Sequence, residues 1–306
     1  MDKRPTVSKL SDFSGHSHAI YSLQQAGDGF TFFSAGGDGL IVAWDIRNPN
    51  EGKVLAKIDG TIYSMLYIAE LNLLAVGKNN EGIYLIHTGS NSVQAAIHVG
   101  EGAIFDMVFH RGKIIAGTSS GELLEIDIQS HRISQRLKVS DQSLRCIAIN
   151  KISNTIAAGF SDNQIRVFEG ADYHCIKSWV AHQRSVFSMA YTPDGKNLLS
   201  VSRDAHIKQW AVDENYTNMR SVPAHLFAIN HLSISPDHKF FITCSMDKTI
   251  KLWSLETLEL LKVIDKARLG GHGNSVNRSI WLDSNTFLTA GDDRKISSWK
   301  VNKSYI

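Results

Sequence analysis

Several usual pointers to function are missing from this 306-residue chain. Its 3 cysteines, Cys146, Cys175 and Cys244, are far apart and have no CxxC or CxxH spacing, so the sequence encodes neither a disulfide framework nor a zinc knuckle. No apolar run approaches the ~18 residues of a membrane span, and the opening MDKRPTVSKLSDF lacks the apolar stretch of a signal peptide. A surplus of one charge is missing too. Lys+Arg 32 against Asp+Glu 30 leaves +2, with both signs interspersed, so no strong field favours nucleic acid or an anionic membrane. Amphipathic stretches of helical length are also lacking. The remainder, 43% hydrophobic and 20% charged, is the composition of an ordinary globular protein. The odd, scattered cysteines fit a reducing compartment, and a cytoplasmic location is expected.

What the chain does have is a repeat. SAGGDGLIVAWD (Ser34–Asp45), SVSRDAHIKQW (Ser200–Trp210), TCSMDKTIKLW (Thr243–Trp253) and TAGDDRKISSW (Thr289–Trp299) each place an Asp six residues before a Trp. Weaker copies are VGKNNEGIYLI (Val76–Ile86), GTSSGELLEI (Gly117–Ile126) and GFSDNQIRVF (Gly159–Phe168). The Trp or its replacement falls at positions 44, 86, 126, 168, 210, 253 and 299, so the period is 40 to 46 residues. A period of this length means a supersecondary unit that buries its apolar face only by stacking on neighbours. Seven units account for nearly the whole length as one domain, residues 1–306.

Within a unit, short runs of period 2 are bounded by Pro, Asp, Gly or Asn. In the fifth they are Ser185–Tyr191, the turn Thr192–Gly195, Asn197–Ser202, a turn at Arg203–Ala205, and His206–Ala211. A fourth run, such as His174–Val180, follows the third strand of a unit. Such runs read as hairpin-linked antiparallel strands, four to a unit, and therefore as blades of a β-propeller.

With Gly15-His16, Ala181-His182, Ala224-His225 and Gly271-His272 at the unit openings and Trp44-Asp45 at one unit end, the chain resembles the WD-repeat (WD40) family over roughly residues 6–301. The resemblance implies an all-β, seven-bladed propeller. Each blade is a four-stranded antiparallel sheet, and the N-terminal segment Thr6–Asp12 completes the last blade, whose own strands are Val276–Trp281, Thr286–Ala290 and Lys295–Val301.

A Ser two residues before the Asp, with the His and Trp, gives two complete sets: His182/Ser202/Asp204/Trp210 and His225/Ser245/Asp247/Trp253. Ser, His and Asp together suggest a hydrolytic triad. Recurrence in successive blades, alongside a Trp that no triad requires, points instead to structural hydrogen-bond chains. Gly36 and Gly291 at the Ser position leave the first and last sets incomplete on this reading, and Asn80, Ser120, Ile86 and Ile126 replace the set in units two and three. No cofactor and no metal site is expected. His16-Ser17-His18 is the one HxH among 13 His, and the Gly-rich SAGGDG and GGHGN segments lack Walker or dinucleotide-fold spacing. Lys262, Lys266 and Arg268 cluster at the longest insertion, Asp265–Gly271.

In WD-repeat proteins, residues three and five after the His and the residue before the Asp surround the channel mouth on one face. Aligned here, the fifth-residue position holds Tyr21, Tyr63, Phe105, Arg145, Phe187, Asn230 and Asn277, while the third holds only Ala, Ser or Thr. The residues before the Asp include Arg203, Met246 and Asp292. Aromatics beside arginines are typical of protein-interface hot spots. The resemblance and this ring together imply a non-catalytic interaction scaffold, a monomer or a subunit of a larger complex. It would bind a protein or peptide with apolar anchors and one acidic group. A propeller enzyme of lactonase or hydrolase type, for which Asp106 and His110 are candidates by composition only, and an RNA-binding propeller are the alternatives.

Overall fold

A computed structural model describes residues 4–303; the outermost residues of the expected 1–306 domain lie outside that range. Among the described residues the chain forms seven four-stranded antiparallel sheets, six of them with their strands in sequence order. Blades 1 to 6 start at Ile20, Ile62, Ile104, Leu144, Val186 and Ile229. Blade 7 takes Val276–Trp281, Thr286–Gly291 and Lys295–Asn302 from the chain's last section, and Thr6–Ser14 joins as its fourth strand. That strand pairs with Lys295–Asn302 from Thr6↔Asn302 to Ser14↔Lys295, so the expected completion of the last blade by the N-terminal segment is present. Only two short helical turns, Ala69–Leu71 and Lys266–Leu269, interrupt the strands among the described residues, and no helix there is long and apolar enough to cross a membrane.

The position of a strand in its blade can be read from its sequence. Second strands such as Asn197–Ser202 and Leu73–Lys78 are covered on both faces and carry near-continuous apolar or small residues. Fourth strands such as Arg132–Lys138 and Thr217–Pro223 are largely exposed and correspondingly polar. The turn between second and third strands needs a left-handed residue, met by Gly39 (φ 70) in blade 1 but by Ala205 (φ 65) in blade 5.

The strands pack as two compact units. The unit Gly60–His225 contains blades 2 to 5. Its core runs from Leu85 and Ile104 between blades 2 and 3, through Leu123 and Phe160 between blades 3 and 4, to Val167 and Val186 between blades 4 and 5. The second unit contains blades 1, 6 and 7. There Ile242 and Leu252 meet Phe287 and Trp299, while Ile20 and Phe32 meet Leu288 and Ile296. Phe13, fully buried on the N-terminal strand, sits edge-on to Phe32 at 5.1 Å and to Trp44 at 5.7 Å. Each fully buried large apolar side chain contributes about 1.5–3 kcal/mol.

Candidate binding site

In blades 1, 5 and 7 a hydrogen-bond chain fixes the end that bears the Asp turn. In blade 5, Trp210 Nε1 donates to Ser200 Oγ (2.8 Å), Ser200 Oγ lies 2.8 Å from His182 Nε2, and His182 Nδ1 lies 3.0 Å from Asp204. Asp204 also accepts the N–H groups of Gln183 and His206. The serine of this chain is therefore Ser200, correcting the expectation of Ser202. Ser202 lies two residues further along, at the turn, where its hydroxyl donates to Arg184 O and accepts from Asp204 N.

The same correction applies to blades 1, 6 and 7. Blade 1 has a complete set in His16, Ser34, Asp38 and Trp44, and blade 7 in His272, Thr289, Asp293 and Trp299. Gly36 and Gly291 do not interrupt these sets. A Cβ there would lie 2.0 Å from Ala19 O or 2.1 Å from Ser275 O, so close approach of the first strand requires glycine. In blade 6, Trp253 Nε1 donates to Thr243 Oγ1 (2.9 Å), and Ser245 turns its hydroxyl to Ala228 O. Asp247 there accepts the N–H of Leu226. His225, the remaining expected member, is buried. In blade 4, Ser140 Oγ and Arg166 hold Asp162, with Ser140 in the place of the His.

The protonation of the blade 5 chain follows from its connections. Burial pulls His182 below its ordinary pKa despite Asp204, so the ring is neutral, donates from Nδ1–H to Asp204 and accepts from Ser200 at Nε2. Burial works against the Asp204 carboxylate. The His182 hydrogen bond, with two backbone N–H donors, outweighs that and holds it well below the usual carboxylate range. No member is left as an activated nucleophile: the Ser200 hydroxyl is itself buried between His and Trp.

The expected ring position has a common structural origin. In every blade the pairing of first and second strands slips by one residue at Tyr21, Tyr63, Phe105, Arg145, Phe187, Asn230 or Asn277. These are β-bulge residues, which have no partner across the ladder and turn their side chains out of the ordinary alternation.

In the four-blade unit the bulge residues touch one another. Tyr63 and Phe105 have ring centroids 5.6 Å apart. The Arg145 guanidinium lies 3.9 Å from the Phe105 centroid and 5.0 Å from that of Phe187. Burial lowers the Arg145 pKa, and among the described residues no carboxylate pairs with it. A cation between two rings is stabilised by about 1–2 kcal/mol, yet it retains donors that the rings do not satisfy. Arg203, exposed on the Asp-bearing turn of blade 5, belongs to the same unit.

In the three-blade unit the same position is differently engaged. Asn230 Nδ2 donates to Ser275 Oγ and Val276 O, and Asn277 Nδ2 donates to Ile20 O and to Asp292 Oδ1 (2.8 Å). The amides link blade 6 to 7 and blade 7 to 1. Tyr21 is half-buried, and Met246 is 53% exposed. Two neighbours of Met246 were missed from sequence: Leu226 and Phe227, 86% and 61% exposed, on the loop that meets the Met246 turn through Met246 N–H···Ala228 O. The available signal was a pair of large apolar residues in a loop directly after His225.

The remaining candidates have structural partners or lie far apart. Asp106 accepts Ile147 N (2.8 Å) and Met107 N, tying blade 3 to blade 4. His110 is at the opposite end of the same strand, about 13 Å away at the usual rise. Both ring nitrogens of His16 are taken by Asp38 and Ser34, so His16 and His18 do not form a ligand pair. Among the described residues no group of three or more His, Cys, Asp or Glu is arranged to hold a metal.

The family model described as WD domain, G-beta repeat, matches residues 7–45, 173–211, 216–254 and 264–300, together half of the chain. Actin-interacting protein 1 of Caenorhabditis elegans is 24% identical over 94% of this chain and 47% of its own length. WD repeat-containing protein 91 of Danio rerio is 28% identical over 30% of this chain and 13% of its own length. The chain thus spans about half, or much less, of these curated relatives. Among solved structures, the WD40 β-propeller domain of Doa1 superposes with a TM-score of 0.86 over 98% of both chains at 18% identity, a likeness of fold.

Proposed function

Because the chain belongs to the WD40-repeat family, with the seven-bladed β-propeller fold, we propose that it is a non-catalytic scaffold that binds a protein or peptide through its bulge-residue side chains. The observation that carries this reading is Arg145. A guanidinium stacked between Phe105 and Phe187, half-buried and without a carboxylate, is poised to receive an acidic group, and Tyr63 extends the row with an apolar contact surface. The partner's expected chemistry is an extended segment with apolar anchors around one carboxylate or phosphoryl group. The worm relative's name, Actin-interacting protein 1, supports a protein partner in the same coarse sense. The engaged carboxylate of Asp106 removes one half of the candidate catalytic pair, which favours a scaffold over a propeller enzyme.

The test is the triple variant Tyr63→Ala/Phe105→Ala/Arg145→Glu in the full chain. It is expected to keep its circular dichroism spectrum and lose its partners in affinity purification with mass spectrometry. An unaltered partner list from a folded variant rejects this row as the binding surface.

A further inference from the structure

Away from the bulge residues, the insertion Asp265–Gly271 forms a well-braced feature of the three-blade unit. Its helical turn Lys266–Leu269 is capped by Asp265, which accepts Arg268 N at 2.8 Å. Gly270 closes it in the left-handed region (φ 68), and its carbonyl accepts from Lys9 Nζ on the N-terminal strand. A cavity lies on either side of the turn. One, of about 480 Å³, is lined by Lys9, Lys266 and Lys295 with the carboxylates Asp12 and Asp293, by Ser297, and by the segment from Gly270 to Asn274. The other, of about 350 Å³, is lined by Arg4, Lys262 and Arg268 and by Leu260, Leu261 and Leu269.

The charges around the turn do not balance. Asp12 is taken by Lys9 and Ser297, Asp293 by His272 and Gly273 N, and Asp265 by the helix cap with Arg268 at 3.6 Å. Among the described residues Arg4, Lys262, Lys266 and Lys295 have no carboxylate partner. In a chain of 32 cationic and 30 anionic residues this is a local excess, gathered where the sequence departs from the repeat.

We propose that this two-cavity surface binds an extended peptide segment carrying a phosphoryl group or clustered carboxylates beside a large apolar residue. The acidic group enters the Lys9/Lys266/Lys295 cavity and the apolar side chain lies against the leucines of the other. A single helical turn between the two recesses suits a chain that crosses it. A bilayer or a nucleic-acid backbone would instead call for a continuous cationic face.

The test uses the full chain and three fluorescent peptides that share one leucine-containing sequence. They bear phosphoserine, a pair of glutamates, or serine at the central position. Anisotropy titration is expected to show binding of the phosphoserine or the glutamate peptide, weakening with salt, and at least about tenfold weaker binding of the serine peptide. Whichever acidic peptide binds identifies the source of the charge. Lys266→Glu/Lys295→Glu is expected to abolish binding, and the milder Lys266→Ala, at an exposed position, to weaken it with an unchanged melting curve. The Tyr63→Ala/Phe105→Ala/Arg145→Glu variant keeps it, which separates this surface from the aromatic row. Equal affinity for all three peptides, or full binding by the folded double variant, overturns the proposal. So does charge-dependent binding only to vesicles containing phosphatidylinositol bisphosphate.

Discussion

Ser200 accepts the indole N–H of Trp210 at 2.8 Å, ten residues along the chain, while Ser202 turns away to the loop carbonyl of Arg184. The two serines share a strand and a face, yet only one joins the buried chain. Ser200→Ala leaves the Trp210 N–H and His182 Nε2 without a partner at full burial. It is expected to cost about 2–4 kcal/mol, against about 1 kcal/mol for Ser202→Ala. Denaturant titration of the two variants measures the order, and an equal or reversed order contradicts the assignment.

Two buried histidines set a pH dependence. His231 is enclosed, its Nδ1 accepting from Ser279, and burial, aided by Arg278 nearby, holds it well below its ordinary pKa. The folded state resists a proton that the unfolded state takes up at about 6.5. The stability this implies is complete above pH 6.5 and falls by about 1.4 kcal/mol per pH unit as pH drops below it. His182, lowered mainly by burial, acts in the same direction. Melting temperatures between pH 7 and 5 are expected to decline, and His231→Gln to decline less steeply. A slope unchanged by the substitution rules out His231 as a source.

The N-terminal strand covers the edge of Lys295–Asn302 and places Val7 and Phe13 in the core. Removing residues 1–12 exposes that edge together with the apolar surface around Trp299. A loss of about 3 kcal/mol or more is expected, accompanied by poorer solubility. Thermal melting and light scattering of the truncated chain test this, and an unchanged melting curve speaks against the strand's role.

Blades 2 and 3 lack the His–hydroxyl–Asp–Trp chain. Blade 2 has the Lys78–Glu81 ion pair and blade 3 the Thr118–Ser120–Glu122 hydroxyl-carboxylate set, both nearer the surface. Their backbone amides, Ile62–Asp127, are therefore expected to exchange faster than those of blade 5 in native-state hydrogen exchange. Uniform protection across the four-blade unit is the opposing result.

Strands were the most legible part of the sequence, because period 2 and turn residues mark them. The fifth unit's expected runs Asn197–Ser202 and His206–Ala211 match the strands residue for residue. The bulge position was also legible where no His marked it: aligning Ile62 and Ile104 with Ile20 placed Tyr63 and Phe105 at the same register slip as Tyr21. The hydroxyl of the buried chain stands four residues before the Asp and ten before the Trp in Ser34, Ser200, Thr243 and Thr289 alike, not two before the Asp, because the indole reaches diagonally across the neighbouring strand. The turn Lys266–Leu269 has 4 residues, too few for a helical period to register. Leu226 and Phe227 directly follow His225, ahead of the third-residue position of the ring, and their exposure depends on loop geometry that no strand pattern encodes.

The bulge gives this architecture an evolutionary freedom. A slipped residue stands outside the regular register of the ladder, so exchanging the side chain at Phe105 or Phe187 leaves the backbone pairing on either side intact. The side chains of this row can therefore change one blade at a time while the strand pairing is kept. Grafting a foreign residue at Phe105 or Phe187 is thus a natural way to alter the proposed binding row without disturbing the fold.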